Sequence, residues 1–262
     1  MPLIKINLQN FYFYNPMVSI LKIYNKKFFN DSVKVFSNKR HVTFEISHDT
    51  MCISSIDTPN IYLSLDNSLF NITHPVSFTI RIDELCKNLN LLDSSIAILD
   101  ESFKIIDFKG INQVNINENL INFCTLNNNY SFVEIPFTNP INFNYIRKSQ
   151  FPNRIILPKE SLKNFSNGLV QYSIVNGMLI LSKQTCEYQE TIEITGDVLE
   201  SGHLNFYCRN DWVESAIELY DLINTVLFCF ADGLLSIKFL FKDQAEAYLE
   251  IQVPEVDNKI DI

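Results

Sequence analysis

Apolar and polar residues alternate along most of this chain, and this alternation is typical of half-buried β-strands. Val, Ile, Leu, Phe and Tyr occupy every second position in several short segments, so one face of each segment is apolar. The clearest segments are Val42–Ile46, Ile61–Leu65, Phe78–Ile82, Leu169–Ile174 and Leu204–Cys208. We therefore predict a strand-rich fold made mainly of antiparallel sheets.

Two dipeptides predict tight hairpin turns. Asn176-Gly177 separates LVQYSIV from MLILSK, and Asp232-Gly233 separates TVLFCFA from LLSIKFLF. A two-residue turn needs positive φ angles, which Asn, Asp and Gly adopt more readily than other residues. Both pairs of flanking segments are therefore predicted to be β-hairpins.

Four segments have helical spacing instead. In Asp211–Leu222 the apolar residues recur every three or four positions, and Asn210 is placed to cap the helix. The other three are Asp83–Leu92, Pro16–Tyr24 and Pro158–Phe165, of which the last two begin with a proline, a residue tolerated in the first helical turn. Many strands and four short helices predict the α+β class.

The two halves of the chain repeat one another. Three residues recur at an offset of 206 − 78 = 128, and each half has the order Pro-led helix, strand pair, second helix and hairpin. The matched residues are Phe78, Arg81 and Asp83 in the first half and Phe206, Arg209 and Asp211 in the second. We predict two copies of one domain, residues 1–126 and 153–262, joined by a long connector over 127–152 that is rich in Asn and Pro.

Composition limits the function classes. The chain has 262 residues, 47% of them hydrophobic, which excludes a disordered chain. It has 21 basic and 30 acidic residues, a formal net charge of −9. Because nonspecific nucleic-acid affinity comes from neutralising phosphates, this charge argues against a general nucleic-acid coat, although it allows cations gathered on one face.

No segment is apolar for long enough to span a membrane, and the first residues lack the pattern of a signal peptide. We therefore expect a soluble intracellular protein. None of the six cysteines lies within four residues of another. This spacing argues against a metal knuckle, and a disulfide framework is not expected in a chain of this size without an export signal, so we interpret them as buried thiols.

Enzyme signatures are missing from the sequence. No GxGxxG, P-loop, GxSxG or HExxH motif occurs, and the four histidines have no metal-ligand spacing. The acidic residues are scattered rather than gathered into functional sets. We therefore predict a protein without catalytic residues, metal or cofactor.

Three stretches carry a resemblance to a known family. In Glu45–Leu65, a strand, turn and strand lead to the step Ile56-Asp57-Thr58-Pro59-Asn60-Ile61; FCFADGLLSIKFLF contains Ala231-Asp232; and the chain ends in AYLEIQVPEVDNK. Together with the repeat, these stretches resemble the PCNA-type DNA sliding clamps, and the likeness covers almost the whole chain.

The resemblance implies a ring. In such clamps three chains join head-to-tail through edge strands, and the helices line a central hole that encircles duplex DNA without reading its sequence. It implies a processivity factor that tethers a DNA polymerase or other DNA-processing enzymes, with a clamp loader as a further partner. The positions on lining elements are Lys22, Lys26, Lys27, Lys87, Lys159, Lys163 and Arg209.

The resemblance also implies an outer site where a partner inserts a short apolar peptide under the connector. The matching positions are Ile56, Ile61, Leu234, Val253 and Pro254. On the residues alone, each of these apolar side chains is better explained as ordinary core.

Two departures keep an alternative open. The lining cations are few for a homotrimer, and the fourth helix is acidic; the connector is also unusually long. The alternative is a clamp-fold interaction subunit that forms no homotrimeric ring, such as a subunit of the heterotrimeric checkpoint clamp or a viral replication or late-transcription factor. A cellular clamp implies nuclear localisation, and a viral one a cytoplasmic replication site.

Overall fold

The computed structural model describes residues 19–55, 57, 59–88, 95–98, 102–106, 111–117, 120–125, 132–138, 140, 151–184, 189–200, 204–244 and 246–256. The chain divides into two compact units. One consists of Met1–Val33, Arg40–Cys52 and Asp66–Ile141, and the other of Lys34–Lys39, Ile53–Leu65 and Asn142–Ile262.

The first half contains eleven described strands, three of them longer than six residues. They are β1 (Ser19–Ile23), β2 (His41–Ile46), β3 (Thr50–Ser55), β4 (Asn60–Asp66), β5 (Phe70–Ile72), β6 (Val76–Arg81), β7 (Ser95–Ile98), β8 (Ser102–Ile106), β9 (Ile111–Asn117), β10 (Leu120–Thr125) and β11 (Phe132–Thr138). The helices described in this half are α1 (Lys26–Val33), a 3₁₀ helix (Lys34–Phe36) and α2 (Ile82–Asn88).

The second half has nine described strands and two short helices. The strands are β12 (Asn153–Pro158), β13 (Leu169–Val175), β14 (Met178–Gln184), β15 (Gln189–Thr195), β16 (Asp197–Glu200), β17 (Phe206–Arg209), β18 (Ile223–Ala231), β19 (Leu234–Phe241) and β20 (Tyr248–Pro254). The helices are a 3₁₀ helix (Lys159–Asn164) and α3 (Val213–Glu218).

The strand order confirms the predicted repeat. In the first half the hydrogen-bonded neighbours run β5-β1-β7-β8-β11 and β4-β3-β2-β6, and these two series are joined where β11 pairs with β6 at Phe137 and Thr138; in the second half they run β16-β12-β18-β19-β20 and β15-β14-β13-β17. Each strand of one series has a counterpart at the same place in the other. The hairpin of β9 and β10 forms a separate two-stranded sheet and has no counterpart among the described strands of the second half.

The boundaries differ from the predicted ones. Residues Phe132–Thr138 form β11, although the sequence analysis placed them in a connector without regular structure. β11 pairs with β8 from Phe132 to Pro136, so tertiary hydrogen bonding orders a segment that lacks a sustained apolar period. Residues 53–65 group with the second unit because β4 pairs with β20, opposite Ile251 at Ile61.

The helix predicted over Pro16–Tyr24 is wrong, because its described part, Ser19–Ile23, forms strand β1. Leu21 and Ile23 are buried while Lys22 and Tyr24 are exposed, which is the alternation of a strand. β1 pairs with β5 on one edge and β7 on the other, so sheet pairing outweighs any local helix preference.

The first helix begins instead at Lys26. Its N-terminal end is capped by Asn25, whose side-chain oxygen accepts a 3.1 Å hydrogen bond from the Phe28 N–H. Phe28, Phe29 and Val33 are buried on one side of this helix, α1.

Two other predicted helices are shorter than expected. Pro158–Phe165 contains the 3₁₀ helix Lys159–Asn164, and Asp211–Leu222 contains α3. Asn210 does not cap α3; its side-chain oxygen accepts hydrogen bonds from the Tyr172 hydroxyl and the Trp212 indole N–H in the core. Helix α2 begins at Ile82, one residue before the predicted Asp83–Leu92, and its described part ends at Asn88.

Both predicted hairpins are confirmed. β13 and β14 pair across Asn176 and Gly177, which have φ angles of 51° and 79°. β18 and β19 pair across Asp232 and Gly233, and in this turn Gly233 has the positive φ, 69°.

An aromatic core joins the sheets and helices of the second unit. Trp212 and Tyr172 are fully buried, and Phe165 stacks on Phe228 of β18 with their ring centroids 5.2 Å apart. Trp212 meets Phe228 edge-on at 5.8 Å. This packing fixes α3 and the 3₁₀ helix Lys159–Asn164 over one face of the sheet, so their opposite sides remain available for polar residues.

Candidate nucleic-acid and partner-binding surfaces

Three lysines meet around one tyrosine in the second unit. Lys159 Nζ and Lys163 Nζ lie 4.8 Å and 5.2 Å from the centroid of the Tyr220 ring, within the range of a cation–π interaction. Lys242 Nζ donates a 2.8 Å hydrogen bond to the carbonyl oxygen of Asp221, next to that tyrosine. We call Lys159, Lys163 and Lys242 the lysine cluster.

The pKa of Lys159 is affected by the nearby charge of Lys242. The neighbouring Lys242 ammonium, followed by desolvation, lowers the pKa of Lys159 from its usual value. Like charges held together disfavour the protonated state, and an anion bound between them would relieve that repulsion. The cluster therefore has the electrostatics of a phosphate-binding surface.

Sequence reasoning found Lys159 and Lys163 but missed Lys242. Lys242 follows the end of β19 in a turn, far from the other two along the chain, and only tertiary folding brings it beside Lys159. The signal that the sequence offered for Lys242 was its place directly after a strand of the predicted hairpin.

The helix α3 interrupts this basic surface. Glu214 and Glu218 are exposed on it, and Glu214 accepts a 2.7 Å hydrogen bond from the side-chain amide of Asn167. Burial raises the pKa of Glu218, while the positive charge of Lys34 opposes that rise. The surface is thus mixed in charge.

Arg209, another predicted lining residue, shares its charge with an acid. Its Nε lies 3.4 Å from a carboxylate oxygen of Asp211. The matched pair in the first half, Arg81 and Asp83, is 2.8 Å apart. The repeated residues therefore form a repeated surface ion pair at the end of β6 and β17, which leaves less free positive charge on Arg209.

The lining positions of the first half have varied settings. Lys22 is exposed on β1, with its Nζ 5.7 Å from the Tyr24 ring centroid. Lys26 is half-buried and Lys27 exposed in the first turn of α1. Lys87 belongs to α2, and its side chain lies outside the described residues. That these four lysines contact DNA stays a prediction.

Most of the predicted partner positions are buried. Ile61, Leu234 and Val253 are 0%, 2% and 4% exposed, whereas Pro254 is exposed at the end of β20. Ile56 lies outside the described residues. Ile61 and Val253 lie on the sheet face that carries the aromatic core, so their side chains stabilise the fold and offer a partner no free surface.

The edge of one strand in the second half forms a third candidate surface. Inside the chain, β4 pairs antiparallel with β20 over Asn60–Ser64. The counterpart of β4 in the second half is β15, which pairs with β14 and is the terminal strand of its described sheet. Most of the residues of β15 are exposed. An open edge of this kind has backbone groups available to pair with another strand.

Signs of other chemistry are few in the described part of the chain. No three His, Cys, Asp or Glu side chains of the described residues are grouped so that they could hold a metal ion. None of the helices among the described residues is long and apolar enough to cross a membrane. Cys208 and Cys229 are buried, and Cys52 and Cys86 are half-buried.

Comparison with known proteins identifies the class of fold. No protein-family model and no curated protein sequence matches the chain. Solved structures do match, and they show that the chain has a PCNA-type clamp fold. One is the PCNA2–PCNA3 complex from Sulfolobus tokodaii, with a TM-score of 0.64 and 13% sequence identity. The match covers 90% of this chain and 98% of that one, which confirms the fold implied by the sequence resemblance.

Proposed function

We propose that this protein is a non-catalytic DNA sliding clamp that encircles duplex DNA and tethers a DNA polymerase or another DNA-processing enzyme. The observation that carries the proposal is the repeated strand order, in which β4 is paired with β20 inside the chain while its counterpart β15 is the terminal strand of its described sheet.

The repeat defines how one chain would join the next. β4 pairs with β20, and their counterparts are β15 and β11. Equivalent pairing would place β15 of one chain beside β11 of another. Such a contact is head-to-tail, so it forms a closed ring when the rotation between chains closes. The clamp resemblance implies three chains, and the Sulfolobus neighbour is itself a complex of two different PCNA proteins.

The lysine cluster supports the DNA part of the proposal. Contacts from flexible ammonium groups to phosphates position a protein on DNA without reading bases, as sliding requires. The formal charge of −9 disfavours adhesion to DNA elsewhere on the protein. We infer that encirclement supplies most of the retention and that the cluster contributes short-lived phosphate contacts.

Partners follow from the same proposal. A polymerase or other client would bind near the link from β3 to β4 and the end of β20, where Asp57 and Pro254 are exposed. A clamp loader would open the ring. The site of action would be the nucleus, or the cytoplasmic replication site of a virus.

Retention on circular and linear DNA tests encirclement. Protein loaded onto nicked circular duplex DNA should stay bound during gel filtration and should leave when a restriction enzyme linearises the circle. Equal retention before and after linearisation would show ordinary surface binding and would contradict the proposal. In the circular and the linearised samples alike, the protein is first loaded with a cell extract that opens the ring.

A second candidate is a clamp-fold interaction subunit that does not close a homotrimeric ring. The acidic face of α3 and the pairing of Arg209 with Asp211 favour it, since both reduce the positive charge available to DNA. Binding of a short fluorescent peptide with apolar anchor residues separates the two. A tethering clamp binds it, whereas an interaction subunit without that site does not.

A further inference from the structure

Lys39 is buried, which is unusual for a lysine. It is 7% exposed and follows the 3₁₀ helix Lys34–Phe36, and its backbone N–H donates a 2.8 Å hydrogen bond to the carbonyl oxygen of Phe36. Val35 and Phe36 are also buried. The backbone that carries Lys39 is therefore held in place by apolar packing on its N-terminal side.

The ammonium group of Lys39 binds the link between β3 and β4. Nζ donates hydrogen bonds of 3.0 Å to the carbonyl oxygens of both Asp57 and Pro59. Burial lowers the pKa of Lys39, and the negative charge of Asp57 opposes that shift. A buried charge is costly unless it is hydrogen-bonded, so these two bonds hold the lysine and the link together.

The two carbonyls that Lys39 binds lie outside the ladder between β4 and β20. The described pairing of these strands begins at Asn60, and Asp57 and Pro59 precede it. The Asp57 N–H has a long hydrogen bond of 3.4 Å to the Ser55 hydroxyl. The two charge-assisted bonds from Lys39, at 3.0 Å, are shorter than this one.

We propose that Lys39 is a positioning residue for partner binding: through the Asp57 and Pro59 carbonyls it sets the main-chain shape of the β3–β4 link and thereby the affinity for an apolar partner peptide. This inference rests on the proposed function, because the clamp resemblance places the partner site at this link. Lys39 itself is covered and contacts no partner.

Amide hydrogen exchange tests the positioning step without any partner. K39M keeps most of the side-chain length but removes the donors, and we expect exchange of the Asp57 and Asn60 amides to rise about tenfold, the effect of losing about 1.4 kcal/mol of local stability. The matched control is K183M, since Lys183 Nζ donates a 2.8 Å hydrogen bond to the Asn167 carbonyl at a different loop. Unchanged exchange in K39M would overturn the inference.

Peptide affinity tests the second step. With the fluorescent apolar peptide described above, K39M should bind several-fold more weakly than the wild-type protein, whereas K183M should bind equally. If K39M speeds exchange at the link but binds as the wild type does, the role of Lys39 in partner binding is overturned. If the wild-type protein binds no peptide, the proposed partner site fails while the exchange result stands by itself.

K39R covers the case in which K39M does not fold. Arginine keeps the charge but has a planar, forked head that cannot reproduce the two bonds of a compact ammonium. We expect faster exchange of the Asp57 and Asn60 amides and weaker peptide binding, both to a smaller extent than in K39M. Wild-type values for both would contradict the inference.

Discussion

Lysine side chains in this protein differ sharply in their surroundings. In the lysine cluster the charges crowd one another at the surface around Tyr220. Lys39 is instead buried, and its ammonium group donates hydrogen bonds to two main-chain carbonyls. The same residue type therefore supplies a surface for anions in one place and a structural restraint in another, and only the three-dimensional surroundings separate the two roles.

Neutralising the cluster should weaken contact with DNA phosphates. In the double variant K159Q and K163Q, the salt dependence of retention on circular duplex DNA should lose a slope of about two, one for each phosphate contact removed. The control, N67E and S77E, changes the net charge equally at two exposed positions in the other compact unit. If both doubles have the same salt slope, the cluster does not meet DNA.

Cys229 provides a test of burial at one residue. Burial raises the pKa of this thiol to about 11, with Lys238 and Arg154 opposing the shift. The folded protein should therefore keep Cys229 unreactive toward a maleimide at pH 8, while denaturant should expose it. Mass mapping of the labelled peptide gives the answer, and rapid labelling in the folded protein would contradict the buried placement.

The same shift has a defined sign for stability. Because the folded-state pKa exceeds the usual value of 9.0, the protonated thiol favours the folded state, and its contribution is lost as pH rises from about 9 through about 11. Unfolding in urea over this pH range, for the wild-type protein and C229A, measures it. A pH dependence identical in both would mean that Cys229 is not desolvated.

At the level of elements, local signals predicted the parts that depend on local chemistry. The turns at Asn176 and Gly233 follow from residues that adopt positive φ, and both hairpins form where expected. The prediction failed at Ser19–Ile23, because a short apolar run after a proline fits a helix and a central strand alike. Pairing with two neighbouring strands decides that case, and a sequence does not show which strands meet.

The candidate sites also combine residues that the sequence predicts with residues whose role depends on tertiary packing. The resemblance identified lysines that do lie together, Lys159 and Lys163, but it could not find Lys242 or Lys39, whose contacts depend on tertiary packing. It also assigned Ile61 and Val253 to a partner site, whereas the alternation of their strands turns both toward the core. A side chain's direction is a property of strand register, which motif matching does not capture.

Proline substitutions in strand β15 test the proposed contact between chains. Successive residues of a strand direct their N–H groups to opposite edges, so T191P and I192P form a matched pair. One variant removes an N–H bonded to β14 and should destabilise the fold. The other removes an N–H on the open edge, and it should fold normally but fail to self-associate.

Light scattering and thermal unfolding of both variants measure the two effects. If the variant that folds normally still assembles as the wild type does, β15 is not the interface.

At the scale of the whole molecule, the repeat determines the possible assembly. Two equivalent junctions arise from two copies of one fold; among the described strands β4 and β20 pair at one of them, and at the other β15 is the terminal strand of its sheet. Strand β11 extends the first copy beyond its predicted end and is the counterpart of β20. The hairpin of β9 and β10 has no counterpart among the described strands of the second copy, so the copies are unequal while the strand order that would carry head-to-tail contacts is preserved.

The mass and symmetry of the purified protein in solution test this account most directly. Light scattering should give three times the chain mass of 30.4 kDa, and negative-stain images should show a closed ring of six similar domains. A protein that remains a monomer at high concentration, with no ring in the images, would contradict a ring built from this chain alone.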